Sequence, residues 1–186
     1  MGVTPVLLIP VVGNVLLPLA GPALGHPAWS VVQWAVGAVL WPVVLWLLAQ
    51  RLQRLGPWPA RMRASVFILI APPAVMGLGL SLWKVPLVWP LLLWGAALAF
   101  VVLALRQLPQ CFDQPFGWPM WSLSFPLTAF AALSLRLSQA GVLPQPLALL
   151  VLALASVVVA ALLRWTWWGL RSGDLLQPEP SPAPRP

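Results

Sequence analysis

An all-α integral membrane protein is predicted by the composition of the chain and by the spacing of its charges. Of the 186 residues, 61% are hydrophobic and only 7% are charged, and the mean hydropathy is +0.92. Such values exclude an ordinary soluble domain. Charge-free runs that are long enough to cross about 30 Å of hydrocarbon, at about 1.5 Å per residue, then locate the helices.

Six transmembrane helices, numbered α1 to α6, follow from these runs. The first run, residues 1–50, is too long for one span, so it should turn at Gly25, His26 and Pro27. The predicted helices lie at about 5–24, 28–50, 64–83, 86–105, 116–137 and 144–168. They pair as three hairpins in one transmembrane domain, residues 1–172. The proline-rich residues 173–186 are predicted to be a disordered cytoplasmic tail.

The arginines predict how the chain is oriented in the membrane. One side carries Arg51, Arg54, Arg61, Arg63, Arg106, Arg164 and Arg171, and the other side only Lys84 and Arg136. Because cationic loops stay in the cytoplasm, both termini should be cytoplasmic, in the plasma (cell inner) membrane. This asymmetry explains the net charge of +7. We therefore expect membrane lipids, and no nucleic acid, as partners.

The helices are of two alternating kinds. The first, third and fifth carry polar residues and interior prolines, whereas the second, fourth and sixth are plainer. A proline leaves a backbone carbonyl unpaired, which lipid cannot satisfy, so the kinked helices should form an inner ring that water can reach and that is backed by the plain ones. The candidate pore-lining and kink residues are Pro10, Gly13, Asn14, Pro72, Pro73, Ser122, Pro126 and Thr128.

Asn14 is the most polar of these candidates, and it lies near the middle of α1. An amide at this depth is costly unless it finds a partner. Two interpretations stay open, namely a hydrogen bond to another helix and a direct contact with a permeating solute.

The titratable residues predict neither an enzyme nor a metal or cofactor site. The lone His26 is in a turn, and the three acids, Asp113, Asp174 and Glu179, are in a loop or in the tail. No proton relay or cation site within the membrane can be built from them. A basic mouth with a nearly uncharged interior suits anions or neutral solutes better than cations.

Four segments resemble one known family of membrane proteins. They read IPVVGNVLLPLAG in α1, VFILIAPPAVMGLGL in α3, WSLSFPLTAFA in α5 and WTWWGLRSGDLL at the end of α6. They look like the tellurite-resistance/dicarboxylate transporter family, which includes the plant guard-cell slow anion channels. The resemblance implies ten helices in five hairpins around a central pore, with three such subunits in a trimer. This chain matches the last six of those helices, so we expect it to be truncated and to supply three-fifths of the ring.

The resemblance also implies a gate. A phenylalanine of the ninth helix plugs the pore in that family, and α5 is the matching helix. Phe125 is the residue onto which this role carries over, and Phe130 is the less favoured candidate. The expected function is passive permeation of a small inorganic or organic anion. The alternative is a non-conducting remnant, or a structural membrane protein, that lacks the first two hairpins.

Overall fold

The computed structural model describes residues 3–83, 85–112 and 116–176. Within these ranges the chain forms helices and turns without any strand, which confirms the all-α prediction. The helices are α1 Pro5–Leu19, α2 Pro27–Leu55, α3 Met62–Leu82, α4 Val88–Cys111, α5 Trp118–Gln139 and α6 Gln145–Ser172. Five are long and apolar enough to cross a membrane, and α1 is a shorter apolar helix. The chain is therefore a multi-pass membrane protein.

The predicted inner and outer layers are confirmed by burial and contacts. In the apolar 18-residue stretch of each long helix, the buried share is 72% for α3 and 50% for α5. It is only 11% for α2 and 17% for each of α4 and α6. Helix α3 lies between α1 and α5, and each even-numbered helix packs on the helix that precedes it. The outer helices thus leave their apolar surfaces for lipid.

A change of helix type recurs in all three inner helices. Each one begins as a 3₁₀ helix and continues as an α-helix, and the α-helical parts are Leu8–Leu16, Ala71–Leu82 and Ser124–Gln139. The third residue of each α-helical part is a proline, namely Pro10, Pro73 and Pro126. Proline has no amide to donate to the carbonyls of the preceding 3₁₀ turn, so each of these prolines interrupts the backbone hydrogen bonds where the helix type changes. The three inner helices therefore share one local structure.

Two glycines allow close approach between neighbouring helices. A Cβ added to Gly37 of α2 would lie 2.4 Å from Val15 Cγ1 of α1, and one added to Gly77 of α3 would lie 2.7 Å from Leu133 Cδ2 of α5. No side chain larger than hydrogen fits at either crossing without a shift of its neighbours. Small residues at such crossings let the backbones pack closely, which is a main source of helix association in membranes.

Some boundaries differ from the prediction. Helix α1 ends at Leu19 and not near residue 24, because the chain turns through residues 20–25, where the Gly21 carbonyl accepts from the His26 amide at 2.8 Å. Helix α4 continues to Cys111. At the carboxyl end Asp174–Leu176 forms a short 3₁₀ turn, although disorder was predicted from residue 173. Lys84, Asp113 and the rest of the predicted tail, residues 177–186, lie outside the described residues.

Candidate permeation site

A cavity of about 730 Å³ lies among the three inner helices. Its lining comes from α1, α3 and α5 alone: Val6, Ile9, Val12, Gly13, Leu16, Met62, Ser65, Ile68, Ala71, Trp118, Pro119, Trp121, Ser122, Phe125 and Pro126. None of these residues is charged. The arrangement gives an apolar space on the inner side of the bundle, where the proline-containing helices were predicted to line a pore.

Phe125 lies on this cavity at the point where α5 changes from 3₁₀ to α-helix. Its side chain is 42% exposed, whereas the following Pro126 is buried. The Phe125 carbonyl accepts a hydrogen bond from Thr128 Oγ1 at 2.9 Å. A proline at this position has no amide to donate, and a threonine hydroxyl that bonds back to its own helix tends to bend it. The backbone that carries the Phe125 ring is therefore shaped by its neighbours in α5.

Phe130 occupies a different environment from Phe125. It is 3% exposed and stacks on Trp94 of α4, with ring centroids 5.6 Å apart. It belongs to the hydrophobic core between α4 and α5 and does not line the cavity.

The hydroxyl groups of the two serines on the cavity both donate hydrogen bonds to backbone carbonyls. Ser122 Oγ donates to the Ala64 carbonyl of α3 at 2.7 Å, and Ser65 Oγ donates to the Met62 carbonyl. Ser122 therefore ties α5 to α3 beside Phe125. Both hydroxyls present lone pairs and no free proton, so they do not form strong binding sites for an anion.

The candidates of α1 divide into one residue on the cavity and two that pair with each other. Gly13 lines the cavity. Asn14 is half-buried, and its Nδ2 donates to the Pro10 carbonyl of the same helix at 2.8 Å. The sequence allowed two interpretations of Asn14, a hydrogen bond to another helix and a contact with a permeating solute. The observed bond within α1 is neither of these. The amide instead occupies the carbonyl of the proline one turn before it.

The remaining candidates do not line this cavity either. Pro72 and Pro73 are buried at the start of the α-helical part of α3, where the backbone changes helix type. The Leu69 carbonyl would normally accept a hydrogen bond from the amide three residues later in a 3₁₀ helix, or four residues later in an α-helix. Both of these residues are prolines and have no amide proton. Thr128 is exposed, and its hydroxyl bonds to the Ser124 and Phe125 carbonyls of its own helix.

Several lining residues were not predicted from the sequence, among them Trp118, Trp121 and Ile9. Helical spacing could have found the two tryptophans, because Trp118, Trp121, Ser122 and Phe125 stand at positions i, i+3, i+4 and i+7 and so share one face. Trp121 also joins α5 to the outer layer, since its Nε1 donates to Thr166 Oγ1 of α6 at 3.0 Å.

Two partly buried arginines, Arg51 and Arg63, lie near the junction of α2 and α3. The Arg51 guanidinium stacks 5.1 Å from the Trp58 ring centroid, and its Nη1 donates to the Gly56 carbonyl. Among the described residues, the Nε atoms of Arg51 and Arg63 are buried without a hydrogen-bond partner. Arg63 directly follows the cavity residue Met62 in the chain. One of these arginines is thus the chain neighbour of a residue that lines the apolar cavity.

These features define a multi-pass α-helical membrane protein in which kinked inner helices line an uncharged cavity. A family model described as voltage-dependent anion channel matches residues 1–170, so the chain belongs to that family of anion channels and transporters. The match confirms the resemblance seen in the sequence. Comparisons with curated proteins and with solved structures gave no match.

Proposed function

We propose that the chain forms part of the wall of a pore through which small inorganic or organic anions permeate passively, in the plasma membrane and with both termini cytoplasmic. The observation that carries this proposal is the uncharged cavity, which is lined only by the three kinked helices. An apolar lining offers no deep binding site in which an anion would be trapped. Weak binding of this kind favours conduction, because an ion must leave the pore as readily as it enters.

Selection for anions then comes from charge at the mouth of the pore. Arg51, Arg54 and Arg63 lie at or near the junction of α2 and α3, and the only acidic residue in the described part of the chain is Asp174, after α6. A low-dielectric cavity with one sign of charge at its rim concentrates ions of the opposite sign. The chemical identity of the anion would follow from pore radius and field.

Phe125 is the proposed gate. Its half-exposed ring is the largest side chain that α5 offers to the cavity after its tryptophans, and Pro126 and Thr128 shape the backbone beneath it. A large apolar ring closes a narrow pore by steric block and by excluding water. Pro10, Pro72, Pro73 and Pro126 would set the bends of the inner helices.

The proposed pore needs further wall segments. In the described chain α1 and α5 are the two edges of the inner layer, with α3 between them. We propose that two more hairpins, from additional sequence or a second polypeptide, close the ring, and that three complete subunits form a trimer. The exposed cavity-side residues Ile9 (56%) and Phe125 (42%) also favour a second candidate, a non-conducting protein whose hairpins only pack with partners.

Flux measurements distinguish the two candidates. The protein is reconstituted in vesicles loaded with chloride or nitrate, and anion efflux is compared with potassium efflux and with empty vesicles. A pore of this kind releases the anions and retains potassium. Anion efflux equal to that of empty vesicles, from correctly inserted protein expressed with the hairpins that complete it, would favour the non-conducting candidate.

A further inference from the structure

Two arginines and two tryptophans form a stripe along the carboxyl-terminal part of α6. Arg164, Trp167, Trp168 and Arg171 stand at positions i, i+3, i+4 and i+7, so they share one face of the helix. The Arg164 guanidinium carbon lies 4.7 Å from the Trp168 ring centroid, and that of Arg171 lies 5.3 Å from the Trp167 centroid. At about 1.5 Å per residue, the two arginine positions are roughly 10 Å apart along the helix axis.

The ring contacts leave the N–H groups of the two arginines free to bind an anion. The two ring contacts are the interactions that these guanidinium groups make within the described residues. Asp174, the only acidic residue described, instead accepts a hydrogen bond from Ser172 Oγ at 2.6 Å. A guanidinium that lies over an indole ring can still use its N–H donors to bind the oxygens of a phosphate. The two tryptophans therefore position two guanidinium groups that can bind a phosphate.

The surroundings of the stripe favour a lipid phosphate over a soluble one. Trp167 and Trp168 are 59% and 57% exposed on an outer helix, and the adjacent row of the same helix exposes Leu163 and Leu170. Tryptophan and arginine at the end of a membrane helix lie at the level of the lipid headgroups. The neighbouring leucines can contact acyl chains that a free phosphate ion lacks.

We propose that the Arg164–Trp167–Trp168–Arg171 stripe is a binding site for the phosphate headgroup of an anionic phospholipid. The two arginines bind the phosphate oxygens, and the indole rings hold the guanidinium groups in place. The site lies on the outer layer, away from the cavity, so it does not depend on the proposed pore.

Native mass spectrometry of the detergent-purified full chain tests this site. Phosphatidylglycerol and phosphatidylcholine with identical acyl chains are titrated, and the dissociation constant of the first bound lipid is measured for each. We expect phosphatidylglycerol to bind at least about fivefold more tightly. The double variant R164Q/R171Q should raise the dissociation constant for phosphatidylglycerol by about fivefold for each arginine removed. Each basic residue contributes about that factor near an anionic surface.

A charge-matched control separates the site from general attraction. R54Q/R106Q removes two exposed arginines from the corresponding ends of α2 and α4, and it should leave the dissociation constant within about twofold of the wild type. Equal weakening in the two double variants, or no preference for phosphatidylglycerol, would overturn the proposal. Displacement of the lipid by inorganic phosphate at equal concentration would overturn the lipid assignment. Circular dichroism and gel filtration of each variant confirm that the fold is retained.

Discussion

Alanine at Gly37 should loosen the packing between the first two helices. Its new Cβ would lie 2.4 Å from Val15 Cγ1 and 3.1 Å from the Val11 carbonyl oxygen. Val15 is fully buried and β-branched, so neither neighbour can move aside easily. Overpacking of this kind costs about 1–3 kcal/mol. Alanine gains up to about 1 kcal/mol over glycine in helix propensity, which leaves a net loss in unfolding free energy of up to about 2 kcal/mol.

Gly95 of α4 provides the matched control, because a Cβ added there meets nothing within 4 Å. G95A has the same gain in propensity and no clash, so G37A should be less stable than G95A by about 1–3 kcal/mol. Unfolding of each variant in mixed micelles, by titration with denaturing detergent, gives this difference. The double variant G37A/V15A should lose less unfolding free energy than the sum of the two single variants, because the smaller side chain at position 15 relieves the clash. Equal stability of G37A and G95A would refute the close packing of α1 on α2.

Two further predictions concern interhelical bonding and orientation. Ser134→Ala removes the 2.8 Å hydrogen bond from Trp94 Nε1 and should lower stability by about 0.6 kcal/mol, and at most about 1.7 kcal/mol. Ser156→Ala, whose hydroxyl bonds only within α6, should change stability much less, and unfolding in mixed micelles compares the two. Reporter fusions after Gly56 should be cytoplasmic and fusions after Gly141 external, because the arginines lie mainly on the first side. The reverse pattern would invert the proposed orientation.

The layered fold was predictable because the composition of a membrane helix determines whether it can face lipid or must be covered by protein. Prolines in α3 and α5 weaken the backbone hydrogen bonding, and only a protein-covered position tolerates this. The plain helices α2, α4 and α6 tolerate lipid and so take the outer layer. Burial in the structure follows this division of the helices.

Local geometry was less predictable, because it depends on contacts that a sequence pattern does not contain. The sequence suggested a partner for Asn14 outside its helix, but the Pro10 carbonyl one turn away offers a bond that needs no neighbour. The 3₁₀ segment Ala60–Ile70 has no marker other than the prolines that follow it. Phe125 and Phe130 lie in the same apolar helix, and the stacking on Trp94 that buries Phe130 appears only in the folded chain.

Anion flux through a Phe125→Ala variant tests the proposed gate most directly. The variant is compared with wild type and with Phe130→Ala in vesicles, with equal amounts of assembled protein and with the hairpins that complete the pore. Removing the Phe125 ring should raise anion flux, because it would remove the proposed steric block of the pore. Phe130→Ala should leave flux per folded molecule unchanged while costing about 3–5 kcal/mol of packing. Unchanged flux in Phe125→Ala, at normal expression and assembly, would contradict the gate and leave Phe125 as a packing residue.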